Sequence, residues 1–112
     1  MLTTDSLKEF GADVDEGLVR CMNNSGFYIM LVGKVLDDKR LSQLESQLSE
    51  KNLDAAFETS HALKGMYSNL ALTPLTRPIS KMTELLRNRT DIDYTDLLNE
   101  AKTQFEKLCA LK

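Results

Sequence analysis

Residues Asn52 to Ala71 read NLDAAFETSHALKGMYSNLA and hold the one histidine of the 112-residue chain. At about 100° per residue, Leu53, Ala56, Phe57, Ser60, Leu63, Tyr67, Leu70 and Ala71 collect on one side, which predicts a helix packed along a single stripe. His61 lies outside that stripe. Lys64 follows one turn on, Gly65 just past it and Ser68 two turns on, so an imidazole, a cation, a missing side chain and a hydroxyl share one flank. Any one of these alone reads as ordinary helix surface. Gly65 resists that reading, because glycine inside a helix costs roughly 0.5–1 kcal/mol relative to alanine and the local pattern asks for no turn there. Its effect is a shallow notch beside the ring, through which another protein's backbone or a bulky anion can approach the imidazole.

The segment His61-Ala62-Leu63-Lys64-Gly65 resembles the H-x-L-K-G signature of histidine-containing phosphotransfer (HPt) domains, the intermediate carriers of phosphorelays. Upstream, Val14-Asp15-Glu16-Gly17-Leu18-Val19-Arg20-Cys21-Met22-Asn23-Asn24, followed by Phe27-Tyr28 and Leu31, is similar to the run that opens that family's bundle, and the similarity covers about Gly11 to Leu86. The chain also departs from the family pattern. Met66 and Tyr67 stand where many members have small residues, and Ala71 stands where they have a glycine. The wheel puts Tyr67 on the core stripe with its polar end seeking a contact, and turns Met66 away from both core and histidine. These departures bear on partner choice more than on the phosphorylated residue.

Working outward from the central helix, Lys51-Asn52 is a short connection, with Asn52 as N-cap. Before it, Leu41, Leu44 and Leu48 keep a helical rhythm to Glu50, either as an extension of the preceding helix or as a separate one. Asp37-Asp38-Lys39-Arg40 is a polar break. Phe27, Tyr28, Leu31, Val32, Val35 and Leu36 form a clear stripe, capped by Asn24 or Ser25. Val14 to Met22 is a helix with Asp13, Asp15 and Glu16 at the positive end of its dipole. Leu2, Leu7 and Phe10 make a short leading helix that Asp5 or Ser6 caps and Gly11 ends.

After the central helix, Thr73 caps the next one, with Pro74 at its first position, and Leu75, Ile79, Met82 and Leu86 continue it. Pro78 inside that run implies a distorted first turn or a later start. Asp91 or Asp93 opens the last helix, whose stripe is Tyr94, Leu97, Leu98, Ala101, Phe105, Leu108 and Cys109. The sequence shows no strand-like alternation and no repeat. The expected fold is therefore all-α: an antiparallel four-helix bundle with one or two short additional N-terminal helices, as one domain over 1–112.

Composition narrows the function classes. The chain is 42% hydrophobic and 28% charged with a net charge of −3, as for a soluble globular protein, and it carries no basic patch for nucleic acid. No apolar run approaches the ~20 residues that span a bilayer, and the N-terminus has no signal-peptide pattern, so the expected location is the cytoplasm. Cys21 and Cys109 read as two reduced thiols, which leaves the N-x-[ST] matches at Asn23 and Asn88 accidental. With a single His no H-E-x-x-H or three-histidine zinc site is possible. Gly33-Lys34 lacks the rest of a phosphate-binding loop. The acidic alternation from Asp91 to Asp96 fails as a calcium loop, since Asp96 takes the place of the required Gly and Lys102 that of the bidentate Glu. Met22, Met30 and Met82 fit core packing better than a ligand pocket.

What remains is a nucleophile without its own machinery. A neutral imidazole, with an ordinary pKa of about 6.5, can attack an activated phosphoryl group at cytoplasmic pH. The resemblance implies that His61 accepts that group, through Nε2, from a phospho-aspartate in a response-regulator receiver domain or from a hybrid sensor histidine kinase, and passes it to another receiver. It implies Lys64 for charge compensation, Gly65 for clearance and Ser68 for a ring or phosphate contact, unless the Ser68 hydroxyl bonds its own helix. The chain is then a monomeric carrier rather than an enzyme, with no cofactor, metal, nucleic acid or membrane of its own, and with Mg²⁺ in the receiver partner. The competing reading is a helical adaptor that binds a receiver or kinase domain without taking phosphate.

Overall fold

A computed structural model describes all residues from 1 to 112 and contains seven helices and no strand. They are α1 (Thr4–Phe10), α2 (Val14–Arg20), α3 (Ser25–Asp37), α4 (Arg40–Ser49), α5 (Leu53–Asn69), α6 (Thr73–Arg87) and α7 (Thr95–Cys109). Short links join α4 to α5 and α5 to α6, so these run antiparallel, and α7 returns along α6. The 41–50 segment is a helix of its own. The wall of the bundle that precedes α5 is thus made of two helices, α3 and α4, which meet at Asp38 and Lys39. One contiguous core of 22 buried residues joins all the helices, and the expected stripe residues Val32, Val35, Leu63, Tyr67, Ile79, Met82 and Leu108 are among its least exposed.

Local chemistry explains most of the boundaries. Asn24 and Asn52 accept the backbone N–H of Phe27 and Ala55, which caps α3 and α5. Asp13 does the same for Glu16 at the start of α2. Gly11 ends α1 in the left-handed conformation at φ 110°, where glycine meets no Cβ penalty.

Four boundary expectations are corrected. Thr3, in a reciprocal capping box with Ser6, caps α1 in place of Asp5 or Ser6. Helix α2 stops at Arg20, because Met22 and Asn23 both turn to φ 58°. Thr73 is the first residue of α6 rather than its cap, and the Leu72 carbonyl receives the backbone N–H and the hydroxyl of Thr76 instead. Helix α6 then runs through Pro78 without a later start, with the proline ring buried against the core; so near the N-terminus, only the Pro74 carbonyl loses a partner.

The N-terminal helices are locked on by Tyr28. This fully buried tyrosine donates its hydroxyl to the Leu70 carbonyl at 2.9 Å, tying α3 to the end of α5. Burial, with the nearby Cys21 and Asp13, pushes its phenol up to about 12. Gly17 makes the fit possible, since a Cβ there would lie 2.6 Å from Tyr28 Cε1. Replacing Gly17 by Ala is expected to cost about 1–3 kcal/mol in overpacking against at most ~1 kcal/mol of helix propensity gained. Urea unfolding should show a lower midpoint at an unchanged slope.

Tyr67 differs from expectation in one respect. It is 1% exposed and on the core stripe, and its phenol, raised by burial, makes no hydrogen bond to the protein; the polar contact went to Tyr28. Met66 is also corrected, because it is half-buried and packs against the edge of the core rather than standing free.

Candidate functional site

Helix α5 is held between α4 and α6 along its length, and its buried stripe of Ala56, Ser60, Leu63 and Tyr67 fixes its rotation. That rotation decides where His61 points. The imidazole is exposed, on the flank of α5 that borders α6. Gly65 is exposed one turn on, and a Cβ built there meets no atom within 4 Å. The surface beside the ring is open.

Lys64 is half-exposed and reaches α6, where its Nζ lies 3.6 Å from Glu84 Oε1. Ser68 donates its hydroxyl to the Gly65 carbonyl at 3.3 Å, so in this structure the hydroxyl is turned to its own helix. Ser68 also lines a polar cleft with Asp13, Glu16, Arg77 and Lys81, where α2 approaches the α5–α6 pair. The four residues singled out on the sequence therefore share one flank of α5, with Lys64 reaching α6, His61 and Gly65 open to the surface and Ser68 towards the end of the helix.

The structure adds four residues to this flank. Phe57, one turn before His61, places its ring 5.8 Å from the imidazole, centroid to centroid, at a tilt of 40°. Two guanidinium groups cover Phe57 in turn, Arg87 at 5.2 Å and Arg89 at 4.9 Å from its centroid. Arg89 is fixed by an ion pair with Asp54 on α5 and by donating to the Leu86 carbonyl at the end of α6, where a cation also suits the helix dipole. Arg87 Nε lies 3.5 Å from Glu84 Oε2. The imidazole thus sits at the edge of a cationic surface made by Lys64, Arg87 and Arg89, with Glu84 between the first two.

Phe57 was within reach of sequence reasoning, since its i, i+4 spacing to His61 is a helical contact. Arg87 and Arg89 were not, because they come from the last residue of the next helix and the turn after it, and nothing in their local sequence points to the ring.

Chemically, the arrangement offers an accessible nitrogen nucleophile, nearby cations for an anionic group and an unobstructed approach. No group of three or more His, Cys, Asp or Glu residues that could hold a metal ion converges in the structure. No helix is long and apolar enough to cross a membrane. No match was found among curated proteins or among solved structures. The family model of the Hpt domain matches residues 37–111, which takes in α4 to α7 and extends past Leu86 to the end of the last helix, while the similar-looking run from Val14 to Leu31 lies outside it. With more than half of its length matched, the chain belongs to the Hpt domain family, the phosphocarrier modules of histidine phosphotransfer in phosphorelays, which interact with the receiver domains of two-component systems.

Proposed function

We propose that this chain is a histidine phosphotransfer protein in which His61 is the phosphorylated residue, acting as a cytoplasmic monomer between receiver domains or between a hybrid sensor kinase and a receiver. One observation carries the reading: the exposed imidazole stands where Gly65 leaves open space, so a partner's aspartyl site can reach it. In the forward step Nε2 attacks phosphorus in line with the departing aspartate. The N–P bond forms as the P–O bond breaks, and the carboxylate leaves as an anion. The same path runs backwards to the next receiver. Phosphoryl transfer depends mainly on positioning and charge neutralisation, and the receiver's Mg²⁺ and lysine supply most of the latter. This chain contributes a held nucleophile and Lys64, and needs no cofactor of its own.

Incubation with a phosphorylated receiver tests the reading. The expected result is an acid-labile, alkali-stable label on this chain, the behaviour of an N–P bond. A stable complex with the receiver and no label would favour the adaptor reading instead. Lys64 adds a graded check through its charge. Lys64→Arg keeps the cation and is expected to retain most of the transfer rate, whereas Lys64→Glu should lower it about ten- to hundredfold, the worth of a lost charge-assisted contact, as measured by single-turnover transfer.

A further inference from the structure

The cations beside His61 are already occupied. Both oxygens of the Glu84 carboxylate are engaged, Oε1 by Lys64 and Oε2 by Arg87, at 3.6 and 3.5 Å. Neighbour contacts close a circle around one patch of surface: His61 to Phe57, Phe57 to Arg87, Arg87 to Glu84, Glu84 to Lys64, and Lys64 back to His61 one turn away on the same helix. All three charged side chains are substantially exposed, so the pairs are weak and can exchange partners. A phosphoryl group on the imidazole brings up to two negative charges and three strong acceptor oxygens to this surface, a better partner for both cations than one carboxylate.

We propose that Glu84 is a positioning residue that competes with the phosphoryl group for Lys64 and Arg87, and so sets how long phosphate stays on the histidine. The inference rests on His61 being the acceptor. Before phosphorylation, Glu84 holds the two cations in place at the edge of the ring. Once the phosphoryl group arrives they turn to it, and Glu84 draws on the same two cations. That competition weakens their hold on the phosphoryl group, which raises the free energy of the phosphorylated form and favours giving the group away. A carrier has use for such a residue, because a phosphohistidine held too well does not pass its charge on.

The test avoids any protein partner. Phosphoramidate phosphorylates the imidazole directly, its own P–N bond breaking and ammonia leaving as the new N–P bond forms. The lifetime of the phosphohistidine is then followed by phosphorus NMR at constant pH. In Glu84→Gln the lifetime is expected to lengthen about two- to fivefold, the scale of exposed ion pairs. Glu84→Asp, which keeps the charge, is expected to stay near the wild-type value. In a chain that already carries Lys64→Gln and Arg87→Gln, adding Glu84→Gln should change nothing further, because the cations through which Glu84 acts are gone. An unchanged lifetime in Glu84→Gln overturns the inference, as does an equal lengthening without the two cations. A receiver that fails to transfer phosphate to this chain would count against the proposed function alone, whereas a lifetime indifferent to Glu84 counts against this inference alone.

Discussion

Replacing His61 by Gln is expected to abolish phosphoryl labelling from a phosphorylated receiver while leaving the fold untouched. Glutamine keeps the size and polarity of the side chain but has no ring nitrogen able to form the N–P bond. No second histidine can take over. The other soft nucleophiles are poorly placed, since Cys21 is buried and Cys109 is half-buried, with its thiol pushed up mainly by burial. Because His61 is exposed and its one ring contact is the tilted approach to Phe57, the substitution should move stability by no more than about 0.5 kcal/mol. Intact-mass spectrometry at alkaline pH, beside a urea melt, reads both quantities. Equal labelling of the variant would place the acceptor elsewhere.

The second large effect is expected at Gly65, where stability and function should move in opposite directions. Nothing lies within 4 Å of a Cβ built at this position, so a larger residue is not penalised by packing, and helix propensity favours it by roughly 0.5–1 kcal/mol. Gly65→Ala should therefore unfold at slightly higher urea. Gly65→Leu should be at least as stable as wild type yet slow transfer on the order of 100-fold, since displacing a docked aspartyl site by an ångström is enough for a loss of that size. Most damaging substitutions in a helix lower stability as well; this one separates the two. Undiminished single-turnover transfer in Gly65→Leu would mean that no partner approaches over the notch.

What the sequence made legible follows from the reach of each interaction. Periodicity placed the stripes of α3, α5 and α7, because burial on one side of a helix is written at i, i+3 and i+4. The lone imidazole with its lysine and glycine was legible for the same reason, all three lying within five consecutive residues. Caps shifted by a residue or two where several polar side chains compete, as with Thr3 against Asp5 and Ser6, and where the start needs no side-chain cap, as at Leu72. Pro78 was misjudged because a proline in the sixth position of a helix forfeits one bond, not a turn. The pairing of Tyr28 with the Leu70 carbonyl, the stacking of Arg87 and Arg89 on Phe57 and the reach of Lys64 to Glu84 join different parts of the chain. The partners in each lie far apart in sequence, and no local pattern encodes them.

The division of the wall before α5 into α3 and α4 gives the molecule two grades of cohesion. Helix α5 rests along α4 and α6, and α7 along α6, whereas the backbones of α1, α2 and α3 approach their neighbours at few points and are held by Leu7, Val14, Val32 and Val35 in the common core, by Tyr28 and by the Asp13 N–H donated to the Ala71 carbonyl. The break at Asp38 and Lys39 is then the place where the leading third is expected to open first, read as faster native-state amide exchange in α1 to α3 than in α5 and α6. Damage confined to that third should loosen the protein at one end without silencing it.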